Sequence, residues 1–124
     1  MILYINSSQF NSLQIRLISK QAVLFDVSTL ASHSQSEKLL PLIEKNLKAH
    51  KLNLDVLTGI KVENRGEGFT NLRIGVTTAN TLAFALGIPV LPTSGKALKR
   101  QGIQVVKPEY SREPHITVKK TKKA

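Results

Sequence analysis

Apolar residues recur along this chain with two different periods. Residues 1–7 form a short apolar run suited to a buried strand. Leu13, Ile15 and Leu17 then alternate with polar residues, as a half-buried strand requires. Residues 22–27 supply a third strand, and the link at 19–21 is short enough for a hairpin, so the first segment predicts an antiparallel meander. Residues 29–35 are polar and Ser-rich, and read as a loop. The period then lengthens. Ser36 has the chemistry of an N-cap, and a helix is expected from there to about Ala49, with Pro41 early enough to be tolerated. Leu39, Leu40, Leu42, Ile43 and Leu47 share one broad arc of that helix, while Glu37, Glu44, Lys45 and Lys48 fill the remainder.

A short turn at 52–57 and a fourth strand at 59–63 lead to a second helix over 70–86. Gly87 is placed to cap it and Pro89 to prevent its continuation. Residues 89–92 offer a fifth, very short strand, residues 93–101 a short helix, and 103–106 a further strand. The order β-β-β-α-β-α-β predicts an α/β fold with a mixed sheet of about five strands and helices packed on it. The second helix has a distinctive pattern. Leu72, Val76, Ala79, Ala83 and Leu86 form one stripe, yet Ile74, Leu82 and Ala85 lie on the opposite side. A helix with two apolar faces is covered on both, either within the chain or by another protein.

At 124 residues the chain has room for one domain, and its 41% hydrophobic content is that of a globular protein. It has no Cys, which excludes disulfides and thiolate metal sites. No segment reads as a signal or membrane span, so a cytoplasmic protein is expected. The formal charge of +10 draws in part on Lys96, Lys99 and Arg100, and on Lys119, Lys120, Lys122 and Lys123. Such a field attracts polyanions. A solvated basic tail and RNA contact by those four terminal lysines are both consistent with it, and without interleaved aromatics any contact would be to phosphates.

The start of the second helix, Arg65-Gly66-Glu67-Gly68-Phe69-Thr70-Asn71-Leu72-Arg73-Ile74-Gly75, is a glycine-containing turn running into a helix, a geometry that often binds phosphate. It lacks the Gly-Lys-Ser/Thr of a P-loop and the Gly-x-Gly-x-x-Gly spacing of a dinucleotide site. It resembles the Gly-Pro-Gly-Ser-Phe-Thr-Gly-Leu-Arg-Ile-Gly segment of the bacterial TsaB (YeaZ) family, the dimerisation subunit of the machinery that makes threonylcarbamoyladenosine in tRNA. Ala85-Leu86-Gly87-Ile88-Pro89 matches the family's close of this helix. Ser36-Glu37-Lys38-Leu39-Leu40-Pro41-Leu42-Ile43 is similar to its Ser-Glu-Arg-Leu-Leu-Pro-Leu-Ile, and residues 108–114 more weakly resemble a C-terminal Tyr-Leu-Arg segment.

The resemblance implies a single actin-like ATPase (RNase H-like) lobe at 1–92, a shortened remnant of the second lobe at 93–118, and a basic tail at 119–124. It also implies a non-catalytic subunit that binds a TsaD-like catalytic partner, or a second copy of itself, through a helix pair. ATP and metal would belong to that partner, tRNA would be met through the complex, and this chain would carry neither cofactor nor metal. The expected contact residues are Leu39, Leu40, Ile43 and Leu47 from the first helix, with Arg73, Ile74, Thr77, Thr81 and Phe84 from the second. Gly66, Glu67, Gly68, Phe69 and Thr70 form the loop at the helix start.

Departures from the family bear on chemistry. Its Asp-Thr-Ser turn is Asn6-Ser7-Ser8 here, and an amide cannot supply the charge a hard cation needs. Aligned through Phe69 and Thr70, the family's glycines fall at Arg65, Glu67 and Asn71, and Glu67 would repel phosphate. His33, His50 and His115 have no metal-ligand spacing, and Ser7 and Ser8 no neighbouring base, so turn capping is expected of those hydroxyls. Arg73 could pair with Glu67, brace the loop or reach a partner's carboxylate, and loop bracing or partner contact is expected of it. No catalytic residue is expected. Two other readings remain open: a small basic RNA-binding module, and a degenerate nucleotide-binding lobe.

Overall fold

The computed structural model describes residues 1–9, 11–31, 35–66, 69–100 and 103–110. Strands β1 (Ile2–Asn6), β2 (Ser12–Ser19) and β3 (Ala22–Leu30) form the expected meander. Helix α1 (Gln35–Ala49) and a 3-10 turn (Leu54–Val56) lead to β4 (Gly59–Val62) and the two-residue β5 (Arg65–Gly66). Helix α2 (Phe69–Leu86) precedes β6 (Val90–Pro92), a small hairpin of β7 (Leu98–Arg100) and β8 (Ile103–Val105), and β9 (Glu109–Tyr110). The main sheet has the order β3-β2-β1-β4-β6, antiparallel through the meander and parallel across β1, β4 and β6.

Strict alternation selects the covered face. Leu3, Ile5, Leu13, Ile15, Leu17, Ile60, Val62 and Val90 have no exposed surface, while their neighbours Tyr4, Gln14, Arg16 and Ile18 are half-buried. Both helices lie on that covered face. Helix α1 contributes Leu39, Ile43 and Leu47, one turn apart, and α2 contributes Leu72, Val76, Ala79 and Ala83. Burying each large aliphatic side chain contributes about 1.5–3 kcal/mol, so these stripes outweigh the helix penalty of internal Thr, Asn and Gly in α2.

The turns follow backbone sterics. Lys20 and Gln21 join β2 to β3 with φ of 49° and 70°, the left-handed pair that matches strand twist in a two-residue hairpin. Gly87 ends α2 with φ 68°: its N–H bonds to the Phe84 carbonyl at 3.2 Å and Ile88 N–H to that of Ala83 at 3.0 Å. Helix α1 stops in the same manner with Lys51, at φ 59°, in the glycine position.

Three boundaries differ from the sequence reading. Strand β3 continues to Leu30 inside the segment read as a loop, because Thr29 and Leu30 pair with Leu13 and Ser12 and ladder bonding does not depend on outward polarity. Helix α1 begins at Gln35, so Ser36 lies inside the first turn; Gln35 sits one turn before Leu39 and is itself buried, and packing extends the helix past the hydroxyl. Residues 98–100 form a strand instead of part of a helix. Gly95, at φ 77°, turns the chain, and Leu98 pairs with Val105.

Candidate functional site

The two helices present an outer surface beyond their buried stripes. On α2, Thr70, Arg73, Thr77, Thr81 and Phe84 are exposed and Ile74 is half-buried, a succession of three- and four-residue steps along one side. Phe84 is 66% exposed and Leu40 of α1 is 41% exposed. Between the helices lies a shallow groove of about 320 Å³ lined by Ser36, Thr70, Arg73, Ile74, Thr77 and Thr78. It has one cation, several hydroxyls and an aliphatic floor, a composition suited to contact with a polar-rimmed protein surface. A second groove, of about 540 Å³, lies where α1 meets the 3-10 turn, with Leu47, Leu52 and Leu54 beside Glu44, Lys48 and Asp55.

The structure corrects the first-helix contact residues. Leu39 and Ile43 are fully buried and Leu47 is 1% exposed, all within this chain's own core. They have no surface to offer a partner. The five-residue apolar arc of α1 was wider than the sheet could cover, so Leu40 is left exposed and Leu42 half-buried. Arg73, Ile74, Thr77, Thr81 and Phe84 are brought together as expected. Of the loop at the helix start, Glu67 and Gly68 lie outside the described residues, as do His33, His115 and Lys119, Lys120, Lys122 and Lys123. A pairing of Arg73 with Glu67 would fall there too.

The end of β1 is tied up within the chain. Asn6 Oδ1 accepts from Ser8 N–H at 2.9 Å and from Ser8 Oγ at 2.6 Å, while Asn6 Nδ2 donates to Gln14 Oε1 at 3.3 Å. Ser8 is thus held in a local turn, as expected of its hydroxyl. Ser7 does something else. Fully buried, it donates to the Asn71 carbonyl and accepts from Gly75 N–H at 2.9 Å, locking β1 to α2. A Cβ on Gly75 would collide with Ser7 Oγ, so this mid-helix glycine is required by close approach. The side chains of Asn6, Ser7 and Ser8 are therefore all engaged by partners within the chain. Among the described residues, no group of three or more His, Cys, Asp or Glu converges. His50 packs its ring 5.2 Å from that of Phe25, and its Nδ1 lies 3.0 Å from the Asn46 carbonyl.

Polar contacts cluster at the C-terminal ends of the parallel strands, a part of the molecule sequence reasoning did not reach. Glu63 accepts from Thr93 Oγ1 at 2.6 Å and from the Tyr4 hydroxyl at 3.3 Å. Burial, reinforced by the Glu63 carboxylate, pushes the Tyr4 phenol up to about 12, while Arg16 over its ring at 5.1 Å acts in the opposite direction. Asp26 is held below the usual carboxylate range by its hydrogen bond from Gln14 and by Arg16. Buried Asn64 donates to the carbonyls of Ser94 and Lys107 at 2.9 and 3.0 Å, and Asn80 brackets both backbone groups of Val106. These asparagines fasten Ser94, Val106 and Lys107 to the lobe. Their surroundings in the sequence give no signal of this role: Asn64 stands between Glu63 and Arg65, and Asn80 between Ala79 and Thr81.

Among the described residues no helix is long and apolar enough to cross a membrane. A family model described as "TsaD: tRNA N6-adenosine threonylcarbamoyltransferase" matches residues 27–117. The Bacillus subtilis (strain 168) tRNA threonylcarbamoyladenosine biosynthesis protein TsaB is 31% identical over 93 residues, covering 75% of this chain and 40% of that protein. The solved structure of YeaZ from Pseudomonas aeruginosa aligns with a TM-score of 0.68 at 24% identity, over 75% of this chain and 43% of that one. A second Pseudomonas aeruginosa structure, described as an uncharacterized protein with similarity to peptidase YeaZ, gives the same TM-score and identity over 42% of its length. The chain thus spans less than half the length of each of these relatives, and the part it spans has a five-stranded mixed sheet and a helix pair, the fold it shares with the YeaZ structures. From this fold and these matches, the chain belongs to the TsaB (YeaZ) family.

Proposed function

We propose that this chain is a non-catalytic assembly subunit in the threonylcarbamoylation of the tRNA adenosine next to the anticodon, docking on a TsaD-like catalytic subunit through the outer side of α1 and α2. The observation that carries this reading is the position of Phe84, Ile74, Arg73 and Leu40: they lie outward on helices whose inner stripes are already committed to the core. A large exposed aromatic beside aliphatic and cationic neighbours is the composition of an interface anchor. The metal- and ATP-dependent step resides in the partner, since Asn6, Ser7 and Ser8 are engaged within this chain and Asn6 lacks a carboxylate's charge. Residues 1–92 form the docking lobe, residues 93–118 stand where a second lobe would begin, and the assembly works on tRNA in the cytoplasm. The same helix surface supports a homodimer when the catalytic subunit is scarce.

The test is pull-down of the catalytic subunit by the full chain carrying Phe84→Asp and Ile74→Asp, with circular dichroism to verify folding. Each position acting as an anchor predicts at least about a tenfold loss of affinity, or ~1.4 kcal/mol. Undiminished affinity in the folded double variant would overturn the assignment. Light scattering of the free chain, with and without the substitutions, reads the homodimer through the same surface.

A further inference from the structure

Positive charge is unevenly distributed along this chain. Residues 93–124 hold nine of the 18 basic residues and two of the eight acidic ones, seven of the ten surplus charges. Earlier elements are close to balanced: α1 sets Lys38, Lys45 and Lys48 against Glu37 and Glu44, and β2 and β3 pair Arg16 with Asp26 at 3.1 Å. Part of the surplus is mounted on ordered structure. Lys96, Lys99 and Lys107 are exposed, and among the described residues Arg16–Asp26 is the one ion pair within 4 Å, so none of the three is neutralised by a described carboxylate.

Lys99 lies on β7, and Lys96 and Lys107 lie on the segments that flank the ribbon; this part of the chain is held firmly. Asn64 grips the Ser94 and Lys107 carbonyls, Asn80 grips Val106, and Gln104 Nε2 donates to the Val90 carbonyl at 2.9 Å. Within the hairpin Lys99 pairs with Gln104. Cations on an anchored ribbon lose less conformational freedom on binding than cations on a tail. No residue from 93 to 109 is aromatic, so the surface offers no platform for stacking bases and addresses the phosphate backbone.

We infer that the β7–β8 ribbon and its flanks, with Lys99 on β7, Lys96 before it and Lys107 after β8, form a phosphate-contacting surface for RNA. The inference rests on the proposed place of this chain in a tRNA-modifying assembly for the identity of the polyanion. Geometry also favours RNA over an anionic membrane. A membrane surface is usually engaged by an amphipathic helix with an extended apolar face, and this segment is a short two-stranded ribbon.

The test uses the full chain with Lys96→Gln, Lys99→Gln and Lys107→Gln, titrated against an unmodified tRNA transcript over a salt series. Removing three phosphate contacts should lower the slope of log affinity against log salt by about 2–3 and weaken binding by about tenfold or more near 0.1 M salt. Assembly with the catalytic subunit, read separately by pull-down, should not change, so failure of the docking proposal and failure of this one give different results. Unchanged RNA affinity and slope in the triple variant would overturn the inference, as would their complete loss on deleting residues 119–124 alone. Titration against phosphatidylserine vesicles supplies the last arm: if those vesicles, and not RNA, lost affinity in the triple variant, the surface would not be an RNA site.

Discussion

Removing the Asn80 side-chain amide should detach the C-terminal ribbon from the lobe. Its Nδ2 donates to the Val106 carbonyl at 2.9 Å and its Oδ1 accepts from the Val106 N–H at 2.8 Å. Val106 is 3% exposed, so in Asn80→Ala both of its backbone groups lose their partner where water has little access. A buried polar group left unpaired costs about 1–3 kcal/mol, and partial relaxation of the ribbon recovers some of that for the pair. The expected net loss is about 2–4 kcal/mol, a large share of the ~5–15 kcal/mol that holds a domain folded. At ~3–6 °C per kcal/mol for a chain of this size, the melting temperature should fall by at least about 6 °C. Urea unfolding followed by circular dichroism measures the effect, with Val106→Ala as the control for lost apolar packing alone. An Asn80→Ala change below about 0.5 kcal/mol would refute the account, because it would mean the ribbon is not fastened by this pair.

Other consequences follow from single contacts. Gly75→Ala should destabilise the fold by about 2 kcal/mol or more through collision with Ser7 Oγ; Ser7→Ala in the same chain should return part of that, a coupling visible in a double-mutant cycle of urea midpoints. Replacing Lys20-Gln21 by Asn-Gly should stabilise the β2–β3 hairpin by about 1 kcal/mol, since both residues occupy left-handed conformations; an unchanged or lower melting temperature would contradict it. Tyr4 should titrate near pH 12 in ultraviolet absorbance, and Tyr4→Phe should remove that transition. Its folded pKa is raised above the ordinary phenol value of 10.0, so the folded state keeps a proton that the unfolded chain releases. The associated stability is present below pH 10 and is lost as pH rises from about 10 to about 12.

The helix pair illustrates how far local pattern extends. Spacing alone placed α2 and grouped Leu72, Val76, Ala79, Ala83 and Leu86 into one stripe, but it left open which of the two apolar faces meets the sheet; the structure turns Leu72, Val76, Ala79 and Ala83 into the core and leaves Leu86 partly covered. The same spacing could not divide the arc of α1, because Leu39, Leu40 and Ile43 differ by small rotations and have similar hydrophobicity. Which of them is covered depends on where the sheet and α2 happen to lie. Arg73, Ile74, Thr77, Thr81 and Phe84, expected as contact residues, share the outer side of α2, while Leu39, Ile43 and Leu47, expected as contact residues too, belong to the core.

What this sequence determined by itself was the succession of the five main strands and two helices through residue 92, the meander, the Gly87 cap and the charge surplus from residue 93 onward. Each is local: periodicity, steric freedom at one residue, or a count. Only the tertiary structure decided that Ser7 reaches Gly75, that Asn64 and Asn80 fasten a distant ribbon, and that the end of β1 is occupied by its own hydrogen bonds. Those pairings join residues between 26 and 68 positions apart, apart from the turn at Asn6. A hydroxyl or amide does not encode its partner in its own neighbourhood. Burial makes that partner obligatory, and chain geometry chooses it.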